Sequence, residues 1–283
     1  MIVVVGATGT VGRPIVEGLL ARGEAVRAIT RAPRPSVLPP QVEQVRGDLD
    51  DPRSISEALA GAKRVFVMTA ASGPGFVEQV RGVARALRAV CPERVVLLSS
   101  VAAIPPVPSP YGAAHAQCED LVHATGCPAT LLRPSAFMSN VLQWLGMLAG
   151  GTVYAPYAYL PRAVIDPDDV AAVAVRALTV DGHADRTYVL TGPASLSAAE
   201  QVERMAVVLG RPLRLVEASP AEVRKAMVEH GFESEWAQAL LDAQADPDPN
   251  RGRTPTGTVE EILGRPARTF DDWLAAHRDQ FAV

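Results

Sequence analysis

The sequence predicts an α/β fold in which a doubly wound parallel sheet carries a smaller C-terminal α+β cap. Short β-branched runs alternate with helical patterns up to Pro134, and a glycine-rich turn, GATGTVGR at 6–13, joins the first run to the first helical pattern. Composition agrees: 283 residues, 48% hydrophobic and 20% charged, can bury one large domain or a domain with an appendage.

The runs IVVV (2–5), VRAI (26–29), VEQV (42–45), RVFVM (64–68), RVVLL (94–98) and ATLL (129–132) are read as strands. Runs apolar on both faces suit strands covered by helices on each side. Helices are expected between them at about 10–22, 52–61, 75–90 and 109–125. That βαβα rhythm, with right-handed crossovers, is the Rossmann arrangement. Pro-rich APRPSVLPP (32–40) reads as a surface excursion between the second and third strands. After Pro134 the rhythm degrades: helices are expected at 136–149, 167–179, 197–210 and 219–245, with strands near 162–165, 187–190 and 213–216. ADPDPNRGRTP (246–256) is a loop by its Pro, Asp and Gly, followed by helical patterns at 257–263 and 269–279. The expected division is a Rossmann domain over 1–135 and a cap over 136–283, of which about 162–190 returns to the sheet.

Charge and cysteine content exclude several classes. Net charge is −4, and only two of the 27 basic residues are Lys (Lys63 and Lys225), with the arginines scattered rather than blocked. Nucleic acid is therefore not an expected partner. Cys91, Cys118 and Cys127 form no CxxC pair and are odd in number, which supports neither disulfides nor zinc. No charged leader precedes IVVVG and no apolar run approaches the roughly 20 residues of a membrane span, so a cytoplasmic protein with no membrane partner is expected. Asp166, Asp168 and Asp169 read as the N-terminal cap of a helix, and no metal site is expected.

A strand ending at Gly6 and a helix beginning near Thr10 bring unpaired N–H groups and a positive helix end to one point, which attracts phosphate. Gly6, Gly9 and Gly12 let a pyrophosphate approach the backbone and let helix pack on strand. In its strand–turn–helix context the motif indicates dinucleotide binding by Gly6, Thr8, Gly9, Thr10, Val11 and Gly12. An NAD site commonly offers an acid to the ribose about 20 residues beyond the loop, whereas an NADP site offers arginine to the 2′-phosphate. Here the second strand ends in AITRAPR, with no carboxylate between Glu24 and Glu43. Arg31 and Arg34 therefore predict a preference for NADP(H) over NAD(H), the alternative being that both are ordinary solvated loop charges.

The GxxGxxG spacing resembles the cofactor loop of atypical and extended short-chain dehydrogenases. GDLDDP (47–52), RVVLLSS (94–100), ATLLRPSAFMSN (129–140), VIDPDDVAAVA (164–174) and GRPARTFDDWLAAH (264–277) are similar to the NmrA-like family over nearly the whole chain. That family includes NAD(P)H-dependent quinone oxidoreductases, triphenylmethane-dye reductases and cofactor-sensing regulators. The resemblance implies that Asp48 and Leu49 flank the adenine. Thr69, Ala70, Ser99 and Ser100, at the ends of the fourth and fifth strands, fall at the sheet edge where such folds bind ligands.

The YxxxK pattern of reductive short-chain dehydrogenases is absent, and Tyr111-Gly-Ala-Ala-His115 stands in its place. Ser109 and Pro110 are suitable N-cap and N1 residues, so Tyr111 and His115 share one face of the following helix. Ser99, Tyr111 and His115 are the candidate catalytic set. His115 is equally compatible with a helix residue without chemistry, because a neutral imidazole stabilises phenolate far less than an ammonium does. Weak acid machinery fits acceptors whose reduced form delocalises charge, such as quinones and enones, better than simple ketones.

Phe137, Met138, Asn140 and Trp144 are candidates to line the substrate pocket, with core packing as the alternative. Tyr154, Tyr157 and Tyr159 sit in one expected loop, as an aromatic platform for substrate or as interdomain packing, Tyr157 being the candidate substrate contact. The expectation is an NADPH-dependent reductase of a small conjugated, aromatic or quinoid acceptor, acting as monomer or homodimer. The alternatives are a non-catalytic NADP(H) sensor of the NmrA type and isomerisation or elimination without net redox change.

Overall fold

The computed structural model describes residues 1–33, 37–68, 73, 75–107 and 109–281. The expected alternation forms in order: β1 (Ile2–Val5), α1 (Gly12–Leu20), β2 (Val26–Thr30), β3 (Glu43–Arg46), α2 (Pro52–Ala58), β4 (Arg64–Val67) and α3 (Phe76–Val90). β5 (Arg94–Leu98), α4 (Pro110–His123) and β6 (Ala129–Pro134) follow. The second half contains α5 (Leu145–Leu148), β7 (Thr152–Ala155), α6 (Pro167–Thr179), β8 (Thr187–Leu190), α7 (Ala198–Leu209) and β9 (Arg214–Glu217). It ends in α8 (Pro220–Glu229), α9 (Ser234–Ala245), α10 (Thr258–Leu263) and α11 (Phe270–Ala276).

Seven parallel strands form the central sheet in the order β3-β2-β1-β4-β5-β6-β8. Strand order reverses between β1 and β4, so the carboxyl ends of those strands flank a crevice where an α/β sheet takes its ligand. Alternate side chains of each strand serve the two faces. Val4 and Phe66 pack with Ile15 and Leu19 of α1 and Val173 and Leu178 of α6 on one side. Val3, Val65 and Val95 pack with Ile55, Val83 and Val122 on the other. A third core, including Met138, Trp144, Val153, Met205, Phe270 and Trp273, is formed by residues after Pro134.

The three aspartates beside α6 carry out two tasks. Asp166 caps the helix, its carboxylate accepting the Asp168 N–H at 2.9 Å. Arg268 bonds Asp166 and Asp168 at 3.1 and 2.9 Å, while buried Asp169 receives the Arg265 side chain and the Arg268 N–H, each at 2.7 Å. The segment before α11 is thereby fastened to the helix behind β4, β5 and β6.

Several expected elements differ. Segment 136–149 is not one α-helix but a 3₁₀ stretch, Met138–Trp144, followed by α5. The Met138 N–H donates to the Ile165 carbonyl and the Ile165 N–H to Ala136 at 2.8 and 2.9 Å, which ties the start of the segment to a neighbouring strand-like piece. That piece, expected as a strand at 162–165, makes only single bridges, Phe137 to Ile165 and Arg162 to Leu196. Helix 219–245 breaks into α8 and α9 at Gly231, whose φ of +92° ends a right-handed helix. Tyr154 lies on a strand, β7, which pairs in parallel with β9 in a separate two-stranded sheet. Among the described residues no helix is long and apolar enough to cross a membrane.

Candidate active site

At the β1–α1 turn Gly6 has φ +77°, the left-handed region that glycine enters without strain, and accepts the Gly9 N–H at 3.0 Å. A Cβ at Gly12 would land on the Gly6 carbonyl, so α1 can start this close to β1 only with glycine there. No side chain caps α1; the Arg13 N–H donates to the Gly9 carbonyl at 3.0 Å and Pro14 has none, which leaves the Gly12 N–H of the first turn to an external anion. The uncapped helix end and glycine cradle fit the pyrophosphate of a dinucleotide. Gly6, Thr8 and Gly9 line a cleft of about 620 Å³ that runs past Arg31 at the end of β2 to Asp48 and Leu49. Among the described residues Arg31 pairs with no carboxylate. Thr10 faces a separate recess beside α11, and the Val11 side chain lies in the core, so only its backbone can face a ligand. Arg34, Thr69 and Ala70 lie outside the described residues.

A second cavity, of about 350 Å³, opens at the carboxyl ends of β5 and β6; Met68 borders it and the first cleft alike. Ser100, Tyr111, His115, Phe137 and Asn140 line it. Ser109 caps α4, accepting the Gly112 N–H at 3.1 Å, and the i, i+4 spacing brings the Tyr111 and His115 rings to 4.7 Å. Phe76 and Trp236 complete an apolar enclosure, 5.0 Å from His115 and 5.6 Å from Tyr111 respectively. Burial pushes the His115 pKa down to about 4, and its Nε2 has no hydrogen-bond partner among the described residues. Burial raises the Tyr111 pKa, which a hydrogen bond with the Ser100 side chain opposes. The pair is therefore a neutral imidazole beside a neutral phenol.

Ser99 and Ser100 both line this cavity, with different hydroxyl partners. The Ser99 hydroxyl donates to Glu119 at 2.5 Å, and Glu119 in turn holds Arg133 through bonds of 2.9 and 2.5 Å. Successive residues leaving β5 point to opposite sides, so Ser100, not Ser99, meets Tyr111. Met138 lies in the third core and lines neither cavity. Trp144 and Tyr157 border a smaller recess of about 140 Å³, which shares Phe137, Asn140 and Arg162 with the second cavity. Tyr154 and Tyr159, 52% and 69% exposed, line neither this recess nor the second cavity. Sequence reasoning missed Phe76, Trp236 and the wall made by Asp246 and Arg251, all of which come from segments distant in the chain.

A family model described as NAD(P)H-binding matches residues 6–181. The chain belongs to this NAD(P)H-binding family. Its relatives include (4-alkanoyl-5-oxo-2,5-dihydrofuran-3-yl)methyl phosphate reductase of Streptomyces griseus, 39% identical over 100% of this chain and 99% of that protein. NAD(P)H azoreductase of Xenophilus azovorans is 32% identical over 100% of both chains. Among solved structures, the NADPH complex of an Escherichia coli NADPH-dependent quinone oxidoreductase has a TM-score of 0.85 at 21% identity, covering 99% of this chain and 100% of that one. Citrobacter triphenylmethane reductase with NADP(H) has a TM-score of 0.80 at 22% identity, covering 96% and 98%. These likenesses agree with the NmrA-like resemblance in the sequence, and the NAD(P)H-binding chain is an oxidoreductase with a Rossmann sheet.

Proposed function

We propose that the protein is an NADPH-dependent reductase of small conjugated acceptors, with the second cavity as the acceptor site. The observation that carries this reading is the shared border at Met68: a cleft fitted to a dinucleotide adjoins a cavity containing a phenol and an imidazole. A bound nicotinamide cofactor supplies a hydride. Gly6, Thr8 and Gly9 hold its phosphates, Asp48 and Leu49 flank the adenine, and Arg31 receives a 2′-phosphate, which favours NADPH over NADH. Phe137 and Asn140 bound the acceptor, Asn140 with an amide for a carbonyl.

Tyr111 holds a transferable proton at its hydroxyl, kept on by burial and oriented by Ser100. His115 steadies the ring edge-on and offers its unpartnered Nε2 to a polar atom of the bound pair. Without a lysine to stabilise phenolate, proton delivery is slow for a strongly basic alkoxide and adequate for a delocalised anion. Names among the relatives agree: a substituted dihydrofuranone phosphate, azo compounds and quinones are all acceptors with conjugated π systems.

The test is the initial rate of anaerobic NADPH oxidation with quinones, acyl butenolides and azo dyes, for wild type and Tyr111→Phe. Turnover of at least one class, with kcat lowered about 10²-fold in the variant, is expected. Tight NADPH binding with no oxidation across the panel overturns the reading in favour of a cofactor sensor.

A further inference from the structure

Arg162 stands in the wall between the second cavity and the smaller recess beside it, next to Phe137 and Asn140. Its backbone is fixed by paired bonds with Leu196, N–H to carbonyl in both directions, at 3.0 and 2.8 Å. The guanidinium donates to the carbonyls of Ala243 at 3.1 Å, Arg251 at 3.3 Å and Gln244. All three acceptors are neutral backbone groups. They engage Nη1 once and Nη2 twice, leaving the Nε hydrogen and one on Nη1 without a partner among the described residues.

The neighbouring guanidiniums account for the nearby carboxylates. Arg251 is buried, bonds Asp246 and Asp248 at 2.8 and 3.0 Å, and uses its remaining nitrogens on the Ile104 and Pro106 carbonyls. Arg253 donates to the Asp246 carbonyl at 3.0 Å. Both carboxylates are therefore held by Arg251, and of the two arginines that border the acceptor cavity, Arg162 and Arg251, Arg162 forms no ion pair among the described residues. Arginine stays charged in such a setting. Burial and the charge of Arg253 weaken its hold on the proton, opposed by Asp246. A partly buried cation without a counter-ion is costly, and a ligand oxyanion removes that cost through charge-assisted hydrogen bonds.

We infer that Arg162 receives an anionic oxygen substituent of the acceptor, so that the preferred substrates are conjugated acceptors carrying a phosphate ester or a comparable oxyanion. This rests on the reductase reading of the same cavity. The conjugated part lies toward Phe137 and Tyr111, and the anion lies toward the recess.

The experiment compares an acyl butenolide bearing a hydroxymethyl group with its phosphate ester, using wild type, Arg162→Gln and Arg162→Lys. Wild type is expected to favour the ester in kcat/KM by about tenfold or more. The ester's KM should rise with salt and the alcohol's should not. Arg162→Gln should collapse the ester-to-alcohol ratio toward one, and Arg162→Lys should restore part of it. A merely structural Arg162 lowers both substrates together and leaves the ratio unchanged, which overturns the inference. The salt response of wild type decides the matter if the glutamine variant does not fold. If wild type reduces quinones and the alcohol without preferring the ester, the reductase reading stands and this inference falls. If no acceptor is reduced, dissociation constants for ester and alcohol on the NADP⁺-loaded protein decide the role of Arg162: tighter binding of the ester supports it, and equal binding overturns it.

Discussion

His115 is 7% exposed, ringed by Phe76 and Tyr111, and has a pKa of about 4 against an ordinary 6.5. The unfolded chain therefore takes up a proton between those values that the folded chain refuses. The stability difference is absent above pH 6.5 and grows as pH falls toward 4, costing on the order of 3 kcal/mol. Urea unfolding at pH 7, 5.5 and 4 should show His115→Gln losing less stability on acidification than wild type, and parallel acid limbs would contradict the burial argument. The proposed cofactor preference rests on Arg31 at the same scale. Arg31→Ala should raise the NADPH dissociation constant about tenfold or more while moving that of NADH less than about twofold. Equal changes for both would make Arg31 an ordinary surface charge.

At the scale of elements, the glycine turn and first-half strands were legible because local rules decide them: β-branched runs, Gly at the close approach, Ser109 and Pro110 opening α4. The second half was harder to read because its elements depend on distant partners. β7 exists only through β9, about sixty residues on, and segment 138–144 is held by Ile165. Likewise the glycine turn was readable from spacing, while the partners of Ser99 and Ser100, Glu119 and Tyr111, depend on how α4 packs against the end of β5. The aspartates before α6 were legible as a cap; their arginine partners, about a hundred residues later, were not. Asp169, 0% exposed, joins those segments. Asp169→Asn should destabilise the fold by about 3 kcal/mol, measured by thermal or urea unfolding. A loss below about 0.5 kcal/mol would show that α10 and α11 stay docked by apolar contacts alone.

Across the whole molecule, the reversal of strand order at β1 and β4 places both cavities on one edge of the sheet, and Met68 just beyond β4 stands where they meet. Its Cε lies 2.8 and 2.7 Å from where side chains at Gly6 and Gly9 would begin, so a flexible thioether fills the space those glycines leave open. A dinucleotide bound against these glycines would rest on this side chain, and the second cavity would then be completed on that side by the first ligand. For the proposed reductase the expected consequence is kinetic: compulsory addition, the dinucleotide first and the acceptor second, with the oxidised dinucleotide departing last. Product inhibition reads this directly, with NADP⁺ competitive against NADPH and non-competitive against the acceptor. Replacing Met68 with Ala should relax the pattern toward random addition.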